Sequence, residues 1–246
     1  LKHIKGRLGD MEQGFAEADV IIEREYTAPT TEHACLEPEC AIGIPPGILG
    51  HDKLSIYVGS QIPYQDRNQI ARAMGLAEED VRVIGTLIGG GFGGKEDIAG
   101  QIHVAMLATA TGRPVKMLYT RQESLIFHPK RHATIIRIKT GAKRDGRLTA
   151  VEAELYGDGG AYASLSDKVM TRATTHATGP YHVPNARIDC YAMYTNNVPS
   201  GAFRGFGVTQ SAFAVEQNMD QIAAALNIDP IELRRINAQK VGVTTA

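Results

Sequence analysis

The stretch Val81-Arg-Val-Ile-Gly-Thr-Leu-Ile88, continued by Gly89-Gly90-Gly91-Phe92-Gly93-Gly94-Lys95-Glu96, decides how this chain is read. Its first half is apolar and β-branched, which predicts a strand. Beyond it, Ile98, Ile102, Ala105, Met106 and Ala108 recur at helical spacing, with Gly112 and Pro114 as a stop. Between the two elements five glycines surround one phenylalanine. Backbone without Cβ atoms reaches positive φ freely and can lie directly against a ligand. Amides that lead into a helix N-terminus suit an anion or an oxo group.

Two chemistries compete for this loop. Gly89, Gly91 and Gly94 fit the G-x-G-x-x-G spacing of a dinucleotide fold, which needs a strand–loop–helix setting. That fold also places an acidic residue at the end of the next strand to hold a ribose. The next strand candidate, Pro114 to Tyr119, ends instead in Thr120 and Arg121, so the dinucleotide reading narrows to NADP, with Arg121 on the 2′-phosphate. A plain structural turn needs fewer glycines than are present.

The remaining composition sets bounds. A chain of 246 residues, 43% hydrophobic, suits one large domain or two small ones. A net charge of -1 gives no global field for nucleic acid or a membrane surface. No apolar run approaches membrane-spanning length. The start, Leu1-Lys2-His3-Ile4-Lys5, has neither a signal peptide nor a methionine, and the end, Val241 to Ala246, has no structural close. A piece of a longer protein is expected. Three cysteines do not make a disulfide framework, so a reducing, cytoplasmic location with buried thiols is expected. His33, Cys35 and Cys40, or His128 with His132, lack the second ligand pair of a zinc site.

Taken in order, the chain predicts a short turn and a strand up to Tyr26, then a polar loop from Thr27 to Glu39. Short strands follow at Ala41 to Ile44 and Lys53 to Gly59, and a helix opens after Gln61. A glutamine at a strand end can present an amide donor to a ligand. Downstream of Val115 the chain reads as strand-rich, with a hairpin turning at Lys143 to Arg147 and a return strand to Tyr156. Asp167 to Thr178 predicts a short helix bearing Arg172, Asp189 to Thr195 a strand, Gln210 to Leu226 a long helix and Pro230 to Gln239 a short one. A second glycine–aromatic loop, Gly201-Ala202-Phe203-Arg204-Gly205-Phe206-Gly207, precedes the long helix.

The two loops, in this order and with Gln61 upstream, resemble the molybdopterin-binding subunit of the xanthine dehydrogenase and aldehyde oxidase family, closest to bacterial xanthine dehydrogenases including the selenium-dependent type. The resemblance spans nearly the whole chain. It implies an α+β fold of mixed β-sheets with packed helices, residues 1–246 forming the N-terminal part of a molybdenum-cofactor-binding domain. It implies a purine or related N-heterocycle as substrate, water as the oxygen source, and a molybdenum–pterin cofactor as molybdopterin or its cytosine dinucleotide form. Electrons would leave for iron–sulfur and FAD groups on other domains or subunits of an oligomer, since no cysteine pattern here suits a cluster. The general-base glutamate is expected beyond Ala246, and the fragment alone is expected to be inactive.

Residue by residue, the resemblance places Gln61 beside the molybdenum oxo group. Gly90, Gly91, Phe92 and Gly93 form the loop facing the metal, and Arg204 lies beside the cofactor. None of Gln61, Phe92 and Arg204 ligates the metal directly. Phe206 stacks on the substrate ring, Glu96 hydrogen-bonds a purine, and Arg172 stabilises charge on a purine oxygen, as fixed transition-state electrostatics. Blander roles exist for several: Phe92 and Phe206 as core aromatics, Glu96 as a helix-dipole partner and Arg172 as a surface charge.

Overall fold

The computed structural model describes residues 1–242 and is α+β, with two mixed sheets and helices packed on them. Residues 243–246, part of the stretch read as an unfinished end, lie outside the described residues. The chain divides into two compact units. Residues 1–31, 131–200 and 204–246 make the first unit, and residues 32–130 with 201–203 make the second.

In the first unit, β1 (Lys2–Leu8), α1 (Met11–Ala16) and β2 (Val20–Ala28) precede the excursion into the second unit. Within the second unit run β3 (Cys40–Ile44), β4 (Leu54–Val58), α2 (Pro63–Met74), β5 (Val81–Gly85), α3 (Gln101–Thr111), β6 (Val115–Leu118) and α4 (Arg121–Phe127). The first unit resumes with β7 (Thr134–Ala142), β8 (Leu148–Asp158), α5 (Ser166–Thr175), β9 (Ala186–Met193), α6 (Val208–Leu226) and α7 (Pro230–Asn237).

The first unit's sheet has the order β1-β9-β8-β7-β2, with only β8 and β9 parallel. Alternation along β7 sets its register: Ile136 and Ile138 face the core at 2% exposure while Ile135 faces outward. They pack with Leu155, Ile188, Met170 and Ile222 into one core under α5 and α6. Burial of such side chains stabilises by about 1.5–3 kcal/mol each before entropy is counted.

A four-stranded sheet, ordered β5-β4-β3-β6, organises the second unit, with only β4 and β5 parallel. Pro63 opens α2 in the first turn and Gly75 closes it in the left-handed conformation. Gln101, Val104, Ala105 and Ala108 form the buried face of α3, whereas Met106 is 56% exposed and Ile98 precedes the helix. Of the expected face, Ala105 and Ala108 are buried and Ile98 and Ile102 pack partly buried against the core, so only Met106 falls off it, and the helix itself starts later than the spacing suggested. Among the described residues no helix is long and apolar enough to cross a membrane.

This topology overturns the NADP alternative. A dinucleotide fold needs the strand after the helix to return parallel beside the strand before the loop. Here β5 lies at one edge of its sheet and β6 at the other, antiparallel to β3. Arg121, the candidate for a 2′-phosphate, donates instead to the carbonyls of Cys35 and Leu36.

Candidate functional site

Gln61 sits just before α2, and the glycine loop closes over its side chain. The backbone N–H of Gln61 donates to Lys95 O at 2.9 Å. In return, Gln61 Oε1 accepts the N–H of Gly93 at 3.0 Å and that of Lys95 at 3.3 Å. Backbone amides can only donate, so they fix which end of the amide faces the loop. Nε2 points away with no protein partner among the described residues, an oriented donor on an exposed side chain.

The loop itself is held in unusual backbone. Gly90 and Gly93 have φ of 108° and 95°, and Phe92, a bulky residue, has φ of 53°. Such an outlier persists only where surrounding structure determines it, and it points to function. Phe92 is 53% exposed, which removes it from the core. The expected helix N-terminus is absent: a single tight turn at Gly94–Glu96 follows the loop, and α3 begins only at Gln101. Two amides close the turn, Gly94 N–H on Gly91 O and Glu96 N–H on Gly93 O, and those of Gly89, Gly93 and Lys95 bond the side chains of Glu37 and Gln61. The loop therefore works without the dipole of a long helix, and the helix-dipole role for Glu96 falls with it. Glu96 is half-buried, its carboxyl has no hydrogen-bond partner among the described residues, and burial, assisted by the adjacent Asp97, raises its pKa.

Beneath the loop runs a segment that reads in the sequence as a plain polar loop, Glu32 to Glu39. Glu37 accepts the Gly89 N–H and pairs with buried Lys95 at 2.7 Å, while its own N–H donates to Gly89 O at 3.0 Å. The buried Cys35 thiol lies 3.6 Å from Gly91 O. Glu32, His33 and His128 also converge, their candidate ligand atoms within 4.8 Å of one another. The zinc-style spacing weighed in the sequence joins His128 to His132; the structure joins His128 to His33 and places His132 on Ser166 Oγ at 2.7 Å. A dense run of carboxylates, histidine and cysteines in one loop was the available signal. Cys35 and Cys190 are buried as expected and Cys40 is partly so.

In the first unit, Arg172 lies on α5, exposed and without a side-chain partner among the described residues. The loop carrying Arg204 and Phe206 packs against this same helix. Gly205, Phe206 and Gly207 have φ of 93°, 50° and 101° in succession. A Cβ at Gly207 would lie 2.1 Å from Val169 O, so only glycine allows the contact. Ser211 Oγ bonds Ala173 O at 2.6 Å, and Arg131 holds the Arg204 carbonyl at 2.9 Å. Arg204's guanidinium is exposed and has no partner among the described residues. Both loops thus carry a phenylalanine at positive φ beside a glycine. Arg172, Arg204 and Phe206 gather in the first unit; Gln61, the glycine loop and Glu96 gather in the second, together with Gly201 to Phe203.

Residues 2–238 match the molybdopterin cofactor-binding domain family. The chain belongs to this family. Among relatives of this cofactor-binding family, it is 43% identical to the nicotinate dehydrogenase large molybdopterin subunit of Eubacterium barkeri, over 100% of the chain and 57% of that subunit. It is 41% identical to a probable xanthine dehydrogenase subunit of Bacillus subtilis, over 94% of the chain and 31% of the relative. The aldehyde oxidoreductase of Desulfovibrio gigas superposes with a TM-score of 0.95 at 33% identity, covering 99% of this chain and 27% of that one. The chain thus spans between about a quarter and three fifths of the length of these relatives. The residues present suit the cofactor of the family: an exposed amide whose donor end has no protein partner among the described residues, beside a phenylalanine held half-exposed at positive φ.

Proposed function

We propose that this chain is the part of a molybdenum hydroxylase that oxidises an electron-poor carbon of an N-heteroaromatic ring, a purine above all. In that reaction R–H and water give R–OH, two electrons and two protons. The molybdenum–pterin group, when bound, supplies the two-electron chemistry and the water-derived oxygen atom. When the group is bound, Gln61 Nε2 would donate to it, and the backbone of Gly90, Gly91, Phe92 and Gly93 would line its pocket. Arg204 lies beside the cofactor. Phe206 offers its ring face to a flat heterocycle. Glu96, whose pKa burial raises, hydrogen-bonds the polar edge of the heterocycle. Arg172 stabilises negative charge on an exocyclic oxygen. The electrons pass to iron–sulfur and flavin groups carried elsewhere, on further domains or subunits.

The observation that carries this reading is the Gln61 amide, oriented by two loop N–H groups so that its donor end is free. The test is made on the full-length protein. Molybdenum and pterin are expected in near-equal amounts per protomer, and xanthine oxidised in oxygen-18 water should gain one labelled oxygen. A protein that binds neither, or whose product carries oxygen from dioxygen, overturns the proposal.

A second reading keeps the chemistry and changes the substrate to nicotinate or a similar heterocyclic acid. It is supported by Arg172, whose guanidinium lacks a carboxylate partner among the described residues and suits one from a ligand, and by the name of the Eubacterium barkeri relative. Steady-state kcat/KM for xanthine against nicotinate separates the two.

A further inference from the structure

Glu32, His33 and His128 are three titratable side chains that none of the proposed chemistry uses. All three belong to the second unit, as do the glycine loop and Gly201 to Phe203. His128 Nε2 lies 2.8 Å from Gly94 O and Nδ1 lies 3.1 Å from Glu32 Oε1. Neither oxygen can donate when Glu32 is ionised, so both ring nitrogens carry hydrogen and His128 is an imidazolium. His33 Nε2 lies 2.7 Å from Ala202 O, which assigns its hydrogen to that nitrogen. Its Nδ1 is buried without a hydrogen-bond partner and faces the same Glu32 oxygen at 3.8 Å. The two rings meet edge to face at 5.0 Å. Lys130 binds the other Glu32 oxygen and also donates to His128 O at 2.6 Å.

Gly94 takes its meaning from this arrangement. A Cβ there would lie 2.7 Å from His128 Cε1 and 2.9 Å from His33 Cγ. At Gly93 a Cβ would lie 2.9 Å from the Ala202 carbonyl. The two glycines let the loop settle onto both rings and onto segment 201–203.

We propose that the buried rings of His128, anchored on Glu32, and of His33, set edge to face against it, form a fork whose two prongs grip the carbonyls of Gly94 and Ala202 and so fix the glycine loop against segment 201–203. These are positioning residues, which act through the backbone carbonyls of Gly94 and Ala202. The role proposed for the two loops gives the fork its functional weight, but the grip itself is independent of that role. A cation at the three convergent atoms is the competing idea, and the Lys130 ammonium on the same carboxylate opposes it.

The experiment is amide hydrogen exchange by mass spectrometry on the intact purified enzyme, with molybdenum and other metals measured on the same samples. His128→Leu removes one grip and should speed exchange across 89–96 by about tenfold or more, the loss of one charge-assisted hydrogen bond. His33→Leu should do the same across 200–204 and leave 89–96 less affected. Glu32→Gln, nearly isosteric and able to fold where the leucine variants fail, weakens the anchor of His128 and should loosen 89–96 more than 200–204. His128→Gln keeps a donor and should restore most of the protection, a rescue that a merely space-filling histidine would not show. Selective loosening with molybdenum lost supports the fork and the cofactor role of the loops. Selective loosening with molybdenum retained supports the fork and removes the loops from the cofactor. Equal loosening of 54–58 and the loops, no loosening at all, or a metal other than molybdenum lost from all three variants, each overturns the fork.

Discussion

A Cβ on Gly91 would stand 2.5 Å from Gln61 Oε1, inside any permitted contact. Gly91 is therefore a glycine because of Gln61 and not because of its φ, which lies outside the left-handed region, against the sequence-based expectation of positive φ there. The same oxygen accepts the Gly93 N–H, so an intruding side chain both pushes the amide away and breaks its anchor.

Gly91→Val in the full-length protein should thus displace Gln61 and lower molybdenum content, with little loss of fold stability, since the struck atom ends a flexible side chain. Gly93→Ala should act in the opposite proportion. Its φ of 95° is strained for any residue with a Cβ, at about 1–3 kcal/mol, and the obstructing atoms belong to the Ala202 backbone. Thermal melting and molybdenum analysis of both variants check this. Equal melting temperatures, or full molybdenum in Gly91→Val, would contradict it.

His128 and His132 are four positions apart and their pKa values move in opposite directions. For His128, burial opposes protonation, but Glu32, Glu39 and the Gly94 carbonyl outweigh it and raise the pKa. Burial pushes His132 down to about 4, and it bonds Ser166 as a neutral ring. A folded pKa below the unfolded value near 6.5 gives stability that is present above pH ~6.5 and is lost as pH falls toward 4. The raised His128 contributes with the opposite sign, fully below pH ~6.5 and fading as pH rises through its folded pKa. His132→Gln should therefore flatten the fall in melting temperature between neutral and mildly acidic pH, and His128→Gln should steepen it. Parallel curves for the two variants would show that the assignments of charge are mistaken.

Asp66 is fully buried on α2 and neither carboxyl oxygen makes a hydrogen bond among the described residues. Burial raises its pKa, while Ser60 and Gln101, close by but outside bonding geometry, offset only part of that rise. Its native form binds a proton more readily than its unfolded form, so its contribution to stability falls as pH rises from the unfolded pKa near ~4 toward the folded value. Asp66→Asn should raise stability at neutral pH, because the neutral amide avoids the buried charge. The gain should shrink in acid, where the wild-type carboxyl is already neutral. Chemical denaturation at two pH values measures it, and a variant less stable at both would count against the neutral form.

Legibility followed the range of each interaction. The hairpin of β7 and β8, the strands β3 and β4, and the helices α2 and α6 carry their signals locally, as alternation, a proline start or a long apolar stripe. β1 is illegible in sequence because Lys2 to Leu8 is an edge strand with a polar outer face, recognisable only once paired with β9. α1 is short and contains Gly14, which a Cβ would drive to 2.9 Å from the Ala150 side chain; the Asp10 cap holds it. α4 carries a legible capping box, Thr120 with Glu123, that a strand-rich reading of the region passes over. The glycine loops and Gln61 are visible as composition. The segment beneath them is not, because Glu32 meets His128 across 96 positions of sequence, and no spacing rule reaches that far.

Arg172 carries the argument about substrate. It is exposed on α5, on the helix against which the Phe206 loop is locked through Gly207, and no carboxylate among the described residues pairs with it. A guanidinium left unpaired beside an aromatic loop suits either developing charge on a ring oxygen or a full carboxylate on the substrate. The two cases part in kinetics. If the arginine meets charge that grows during reaction, Arg172→Met should lower kcat/KM for xanthine by about two orders of magnitude or more, with the loss in the chemical step and molybdenum content unchanged. A purine without that oxygen should be much less affected. If the arginine binds a carboxylate, the loss should fall on nicotinate instead and appear mainly as a raised KM, because ground state and transition state share that contact. Wild type and variant are compared on xanthine, on a purine lacking the oxygen, and on nicotinate, by steady-state and single-turnover rates. Equal losses on all three, or none, would place Arg172 outside the substrate site and leave purine selectivity without a residue to carry it.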